Sequence, residues 1–485
     1  MSERLVVGPF NRVEGDLEVQ LDIADGRVAS ARVNAPMFRG FEPMLAGRAP
    51  QDALVIVPRI CGICSVSQSV AAARAIADAS AVTPPPNGVH VTNLMLACEN
   101  LADHLSHFYL FFMPDFTRPV YADRPWFAEG QRRFAAMAGE HARAALAARQ
   151  RWFELMGTLG GKWPHTLSIQ PGGSARAVEA AERIRLLAKV REFRAFLEAT
   201  TFGAPLEEVA ALDGEAALAQ WQARDPHRGD LRFFLTVADD LHLQSLGRGP
   251  GVALSYGAYR QPDGRFELPG GVWDDALTAV QPVDFEAIRE DATYAWLAGG
   301  APLHPREGHT EPWADKPGAY TWNKAPRLGG RVVETGAIAR QLASAQPLIR
   351  DAVARAGANV RSRVLARLVE VARVLPMMER WLEAISPREP FFHPERLPDD
   401  AQGVGLTEAA RGALCHWLSV RDGRIERYQI VAPTSWNFSP RDAEGTPGAL
   451  EAALEGTPVR EGEDTPVAVQ HVVRSFDPCM VCTVH

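Results

Sequence analysis

Two short cysteine pairs stand at opposite ends of this 485-residue chain, Cys61-Gly62-Ile63-Cys64 and Cys479-Met480-Val481-Cys482. The spacing within each pair lets two thiolates reach one metal ion. If the four thiolates share a site, the fold has to bring the two ends of a long chain together. Three chemistries fit this spacing. A structural zinc could staple the ends into a scaffold without catalysis, although zinc ribbons usually keep their pairs close in sequence. Thioredoxin-like redox motifs would need βαβ surroundings, which neither pair has. A redox site of nickel, iron or copper also takes soft thiolate ligands. The spacing leaves all three open.

The other two cysteines, Cys98 and Cys415, stand alone in apolar surroundings and read as small buried hydrophobes that ligate nothing. Six cysteines in a chain of this length exclude a disulfide scaffold. With 46% hydrophobic and 23% charged residues the composition is that of a folded globular protein. A net charge of −8 argues against nucleic acid as a partner. No apolar run is long enough for a membrane-spanning helix, so direct membrane insertion is not expected. The first residues lack the apolar stretch of a signal peptide, which points to a cytoplasmic chain.

The apolar periodicity predicts a mainly α fold with small β regions (α+β), built on a central bundle of long helices. It reads as one interwoven domain over residues 1–485. Residues 1–50 form an N-terminal β region, 51–200 and 337–385 a helical core, 201–336 an irregular insert, and 404–485 a C-terminal β region carrying the metal-binding end. Helical stretches are expected at about 52–81, 91–112, 125–159, 174–197 and 337–385, the last broken near Gly357. Asp25-Gly26 and Asp422-Gly423 mark hairpins. Residues 440–465 read as a surface excursion.

The residues around the cysteines narrow the choice. Phe38-Arg39-Gly40-Phe41-Glu42 and Arg59-Ile60 precede the first pair, and the chain ends Asp477-Pro478-Cys479-x-x-Cys482-x-x-His485. Together with Arg12-Val13-Glu14-Gly15, His104-Leu105-Ser106-His107-Phe108-Tyr109, Tyr320 to Arg327, Arg411-Gly412-Ala413-Leu414 and Pro433-Thr434-Ser435-Trp436-Asn437, these blocks resemble the large subunit of the nickel–iron hydrogenases. The resemblance implies reversible heterolytic cleavage of H2 at a nickel–iron centre whose iron carries CO and two cyanides. By the same resemblance Cys61 and Cys479 are terminal nickel ligands, and Cys64 and Cys482 bridge to iron. Glu14 corresponds to the family's proton relay. Arg411 matches the arginine above the metals, with Asp103 and Asp477 as its acids. Thr434, where the family often has serine, would donate to a cyanide. Glu42, the Ile430 carbonyl and His485 would hold a Mg2+ ion, with Lys324 nearby. An iron–sulfur small subunit is implied as partner, since this chain has no spare cysteines for an electron path; the clusters would lie only in that subunit.

The chain departs from the family pattern in three places. Asp16 and Gln68 each stand where the family normally has histidine. Ile63 and Phe111 stand at the gas channel, where many members have valine and leucine. These departures resemble the H2-sensing, regulatory branch, whose members tolerate oxygen, turn over slowly and signal to a histidine kinase. A chain ending at His485 also fits that branch, which is made without the C-terminal extension that a maturation protease removes from other members. A matured, energy-conserving uptake hydrogenase is the alternative.

Overall fold

Asp25 and Gly26 take the left-handed backbone of a two-residue hairpin turn, with φ 51° and 69°. They join β2 (Glu18–Ala24) to β3 (Arg27–Asn34), and β1 (Glu3–Val7) pairs with β2 in an antiparallel sheet of order β1-β2-β3. A computed structural model describes residues 3–394 and 396–483.

The helices that frame the centre are α1 (Ser65–Ala79), α2 (Pro86–Ser106), α3 (Glu140–Trp152), α4 (Ala180–Phe196), α5 (Ala337–Ala343), α6 (Val360–Ala384) and α7 (Val467–Ser475). α6 packs against α2, α4, α5 and α7, which makes the α2–α6 pair the centre of the molecule. α2 is buried on nearly every side and runs on into a wider turn over His107–Phe112. The expected break near Gly357 is present: the helix Pro347–Ala356 ends there, and Asn359 caps the start of α6.

The second hairpin turns at Asp422 and Gly423 as expected. It belongs to a larger sheet, however. Following the small hairpin β4 (Ala258–Arg260) and β5 (Phe266–Leu268), strands β6 (Ala401–Ala409), β7 (Gly412–Arg421) and β8 (Arg424–Val431) pair in the order β6-β7-β8. α1 lies directly across β6. A Cβ at Gly403 would stand 2.1 Å from the Ala75 carbonyl, and one at Gly405 would stand 1.8 Å from that of Ala71. Only glycine permits an approach this close. Side chains close the open edge of β6: Asp78 accepts from Val404 N (2.9 Å), Arg74 donates to Leu406 O (2.6 Å) and Asn100 to Glu408 O (3.1 Å).

Two stretches, 125–159 and 440–465, differ from expectation. The helix expected over 125–159 is divided into Phe127–Phe134, α3 and Glu154–Gly160, because the chain turns at Met137–Gly139 and again at Phe153. The insert contains helices Leu206–Ala210, Glu215–Arg224 and Asp230–Asp240, packed through Leu206, Trp221 and Phe234. Within 440–465 the helix Ala449–Leu454 is buried against β3, where Glu451 accepts from Val33 N (2.9 Å) and the Tyr320 hydroxyl (2.8 Å). Among the described residues no helix is long and apolar enough to cross a membrane.

Candidate metal centre

The first cysteine pair leaves a run of short helical turns over residues 50–59. Arg39 fastens this run by donating to the carbonyls of Arg59 (3.0 Å) and Ile60. Cys64 is the residue before α1, whose first N–H groups need acceptors. Buried Glu99 from α2 supplies them, taking Val66 N at 2.9 Å, Ser67 N at 3.0 Å and the Trp163 indole N–H at 2.9 Å.

The second pair follows α7. The backbone of Asp477 turns at φ 57°, and Cys479 then lies alongside Glu14 in a single parallel bridge. Met480 N donates to Glu14 O (2.7 Å) and Glu14 N to Pro478 O (3.4 Å). A Cβ at Gly15, where φ is 79°, would stand 2.8 Å from Val481 N, so the N-terminal strap can pass here only as glycine. One turn earlier, buried Asp115 receives both Arg12 and Arg474 (2.6 Å), and Arg474 also donates to Asn11 Oδ1 (2.7 Å). Strap and C-terminal helix are locked to each other.

These constraints bring the four sulfurs together. Cys479 Sγ lies 2.9 Å from Cys482 Sγ and 3.4 Å from Cys61 Sγ, and Cys64 Sγ lies 3.2 Å from Cys482 Sγ. All four fall within 4.8 Å of one another and all are buried. Without a cation such crowding is unfavourable. The neighbouring thiols push Cys64 up, and burial raises Cys479. Cys61 alone ionises easily: against burial, its anion is held by hydrogen bonds from the other three and by the field of Arg411. Four thiolates can coexist here only around positive charge, which is the chemistry of a soft metal site.

Arg411 supplies a fixed charge beside the cluster. It occupies the tight turn joining β6 to β7 (Ala409 pairs with Gly412). Its guanidinium forks onto both oxygens of Asp103, donates to Asp477 Oδ1 (3.1 Å) and holds the Asp477 carbonyl (3.0 Å). Burial pushes the Asp103 carboxyl up to about 7 despite Arg411, whereas Arg411, His107 and Arg367 outweigh burial and keep Asp477 below its usual range. Asp477 Oδ2 is buried with no partner among the described residues. Behind the turn, Arg340 forks onto Glu370 (2.7 and 2.8 Å), pairs with Glu408 (2.8 Å) and holds the carbonyls of Ala409 and Ala410.

The remaining expected residues divide into two groups. Thr434 is at the cluster: its Oγ1 accepts from Cys479 N (3.2 Å), and among the described residues its hydroxyl proton has no acceptor. Glu14 is half-buried; burial and Cys61 push its carboxyl up and Arg411 draws it back. Gln68 is buried on α1 and meets His416 Nε2 at 2.8 Å, while His416 Nδ1 meets the Tyr428 hydroxyl at 2.7 Å. Farther out, Glu42 receives the backbone N–H of Ile430 (2.7 Å) and the Thr310 hydroxyl. Lys324 stands 3.5 Å from both Glu42 and Glu290, so among the described residues the cation facing Glu42 is a lysine. Ile63 and Phe111 are half-buried and Asp16 is exposed. The expected role of His485 lies outside the described residues. Cys98 and Cys415 are buried away from the cluster, Cys98 against Trp152 O (3.9 Å) and Cys415 against the Tyr256 hydroxyl (3.7 Å).

Sequence reading missed Glu99, Asp115, Arg340, Glu370 and His416. Each is a polar residue in an apolar stretch, such as Ala97-Cys98-Glu99-Asn100-Leu101, and that was the available signal.

A sequence model of the nickel-dependent hydrogenases matches residues 39–125 and 128–485. The periplasmic [NiFeSe] hydrogenase large subunit of Desulfomicrobium baculatum is 30% identical over 99% of this chain and 95% of its own length. The uptake hydrogenase large subunit of Rhodobacter capsulatus is 27% identical over 100% of this chain and 95% of its own length. A solved structure of the H2-activated Dm. baculatum [NiFeSe]-hydrogenase superposes over 100% of both chains with a TM-score of 0.86 at 29% identity. Agreement over the whole length, together with four sulfurs gathered from both ends of the chain, means that this protein belongs to the nickel-dependent hydrogenase family, as a large, catalytic subunit.

Proposed function

We propose that the chain carries the H2-activating site of an H2-sensing, regulatory nickel–iron hydrogenase that works in the cytoplasm with an iron–sulfur small subunit and reports to a histidine kinase. Large subunits of this family pair with such a small subunit. A nickel–iron centre, with CO and two cyanides on iron, supplies the polarised site for heterolysis of H2. Cys61, Cys64, Cys479 and Cys482 would hold the nickel, and Cys64 and Cys482 would also serve the iron. Arg411 fixes a charge above the pair, and the Thr434 hydroxyl is free to donate to a ligand. Glu14, at the boundary between sulfurs and solvent, carries the proton outward. By the same family resemblance, Glu42, the Ile430 carbonyl and His485 would hold a magnesium ion. Ile63 and Phe111 narrow the gas path, which favours H2 over the larger O2 and underlies oxygen tolerance.

The observation that carries the hydrogenase chemistry is the buried four-sulfur cluster beside the Arg411 fork. Metal analysis and infrared spectroscopy of the purified two-subunit complex test it: nickel, iron and the bands of metal-bound CO and cyanide are expected, and a zinc-loaded complex without those bands would overturn it. For sensing, the supporting feature is Gln68, an amide held by His416 where the family has an imidazole. Slow turnover is expected, with H2-dependent change in kinase autophosphorylation. The uptake reading is favoured by relatives that are themselves uptake enzymes. Fast H2 oxidation with no effect on the kinase would establish that reading instead.

A further inference from the structure

A groove opens on the protein away from the cysteines. It opens at the far end of α1, around Arg74, ten residues and roughly 15 Å of helix beyond Cys64. Its volume is about 540 Å3, within the range of small-molecule sites. Val70, Ile169 and Phe266 give it apolar walls, and Arg74, Arg260 and Asp78 are its only charged lining residues.

The charges do not balance. Arg74 spends one N–H on Leu406 O, and Asp78 spends its Oδ2 on Val404 N. Among the described residues neither Arg74 nor Arg260 has a carboxylate partner. Burial, followed by the field of Arg260, pulls the Arg74 guanidinium down to about 10. Arg74 is half-buried and Arg260 exposed, so two guanidiniums without carboxylate partners line one open groove, an arrangement that favours an anion between them. The hairpin bearing Arg260 is also held in place: Asn93 Nδ2 donates to Arg260 O (2.8 Å), and Arg260 pairs with Phe266 across β4 and β5.

The same contacts select the kind of occupant. Arg74, Asp78 and Asn100 already bond Leu406 O, Val404 N and Glu408 O on the outer edge of β6, and α1 lies across the strand, so a peptide strand has no free edge to add to. We propose that this groove binds a small organic oxyanion, a carboxylate or phosphate on an apolar or aromatic body, with the head group between Arg74 and Arg260 and the body against Phe266 and Val70.

The test is calorimetric titration of the purified two-subunit complex with phenyl phosphate, benzoate and inorganic phosphate. At least one of the two aromatic anions should bind, at least tenfold more tightly than inorganic phosphate and more weakly as salt rises; which of them binds better identifies the head group. Arg260→Glu should abolish binding, Arg260→Gln should weaken it at least tenfold, and Arg260→Lys should retain most of it. H2 oxidation should stay unchanged in all three variants, because Arg260 is remote from the cysteines; that readout also confirms a folded complex. Absence of binding by both aromatic anions at millimolar concentration, or equal affinity in wild type and Arg260→Glu, would overturn the proposal.

Discussion

Arg411 and Glu14 flank the same four sulfurs, yet they are held in opposite ways. Arg411 is over-determined: two carboxylates and a carbonyl receive its guanidinium, and Arg340 clamps the turn beneath it through two more acids and two carbonyls. Among the described residues Glu14 is held through its backbone alone, by one bond to Met480 N and one to Pro478 O, and its side chain stays half-exposed. A charge that must stand still is surrounded by fixed partners, because a desolvated cation with an unsatisfied fork is costly and mobile. A group that passes protons needs the reverse, with room to face the sulfurs and then solvent.

Substitutions should separate the two sides clearly. Arg411→Ala leaves Asp103 and Asp477 buried without their cation, at a cost of about 3–5 kcal/mol. H2 oxidation should fall at least about a hundredfold, accompanied by a lower melting temperature. Arg411→Lys keeps the charge without the fork and should recover only part of that loss. Glu14→Gln should remove most H2 oxidation, by a factor on the order of 10–100, while the melting temperature stays near that of the wild type. A Glu14→Gln complex that is fully active, or as unstable as Arg411→Ala, would erase the contrast. Arg340→Lys should fall between these two in stability and below both in its effect on activity, since it loosens the turn without removing Arg411.

The fold and site were legible in the sequence to different depths. The Asp-Gly turns, the break at Gly357 and the sulfur ligands were readable because each is set by a local requirement, a positive φ or a two-residue thiol spacing. Glu14, Arg411, Asp103 and Asp477 were readable only as members of ordered blocks that resemble a family. The sheet edge at β6 was not readable, because the packing of Gly403 and Gly405 under α1 depends on a helix over three hundred residues away in sequence. For the same reason the buried helix at Ala449–Leu454 passed for surface: its polar flanks hide that Glu451 is consumed by Val33 N and Tyr320. The partner chosen by Gln68 was also hidden, since nothing near Gln68 in sequence announces His416.

The smallest effect expected belongs to Glu99, which separates rigid support from reacting group most cleanly, because it touches α1 and not the sulfurs. Replacing it with glutamine turns an N–H2 group toward the donors of Val66 or Ser67 and should cost about 1–3 kcal/mol, with H2 oxidation reduced no more than a few-fold. Burial lifts the Glu99 carboxyl to about 7, against about 4.3 in the unfolded chain. Between those values the unfolded chain has released a proton that the folded protein keeps, so the contribution of Glu99 to stability falls as pH rises, and it levels off above about 7. Glutamine does not titrate. The deficit of Glu99→Gln should therefore be greatest near pH 5 and shrink toward pH 7.5, as read from melting temperatures of the complex across that range. A deficit constant with pH would mean that Glu99 is ionised throughout and acts as a plain carboxylate cap, which would place it with Arg411 as fixed charge.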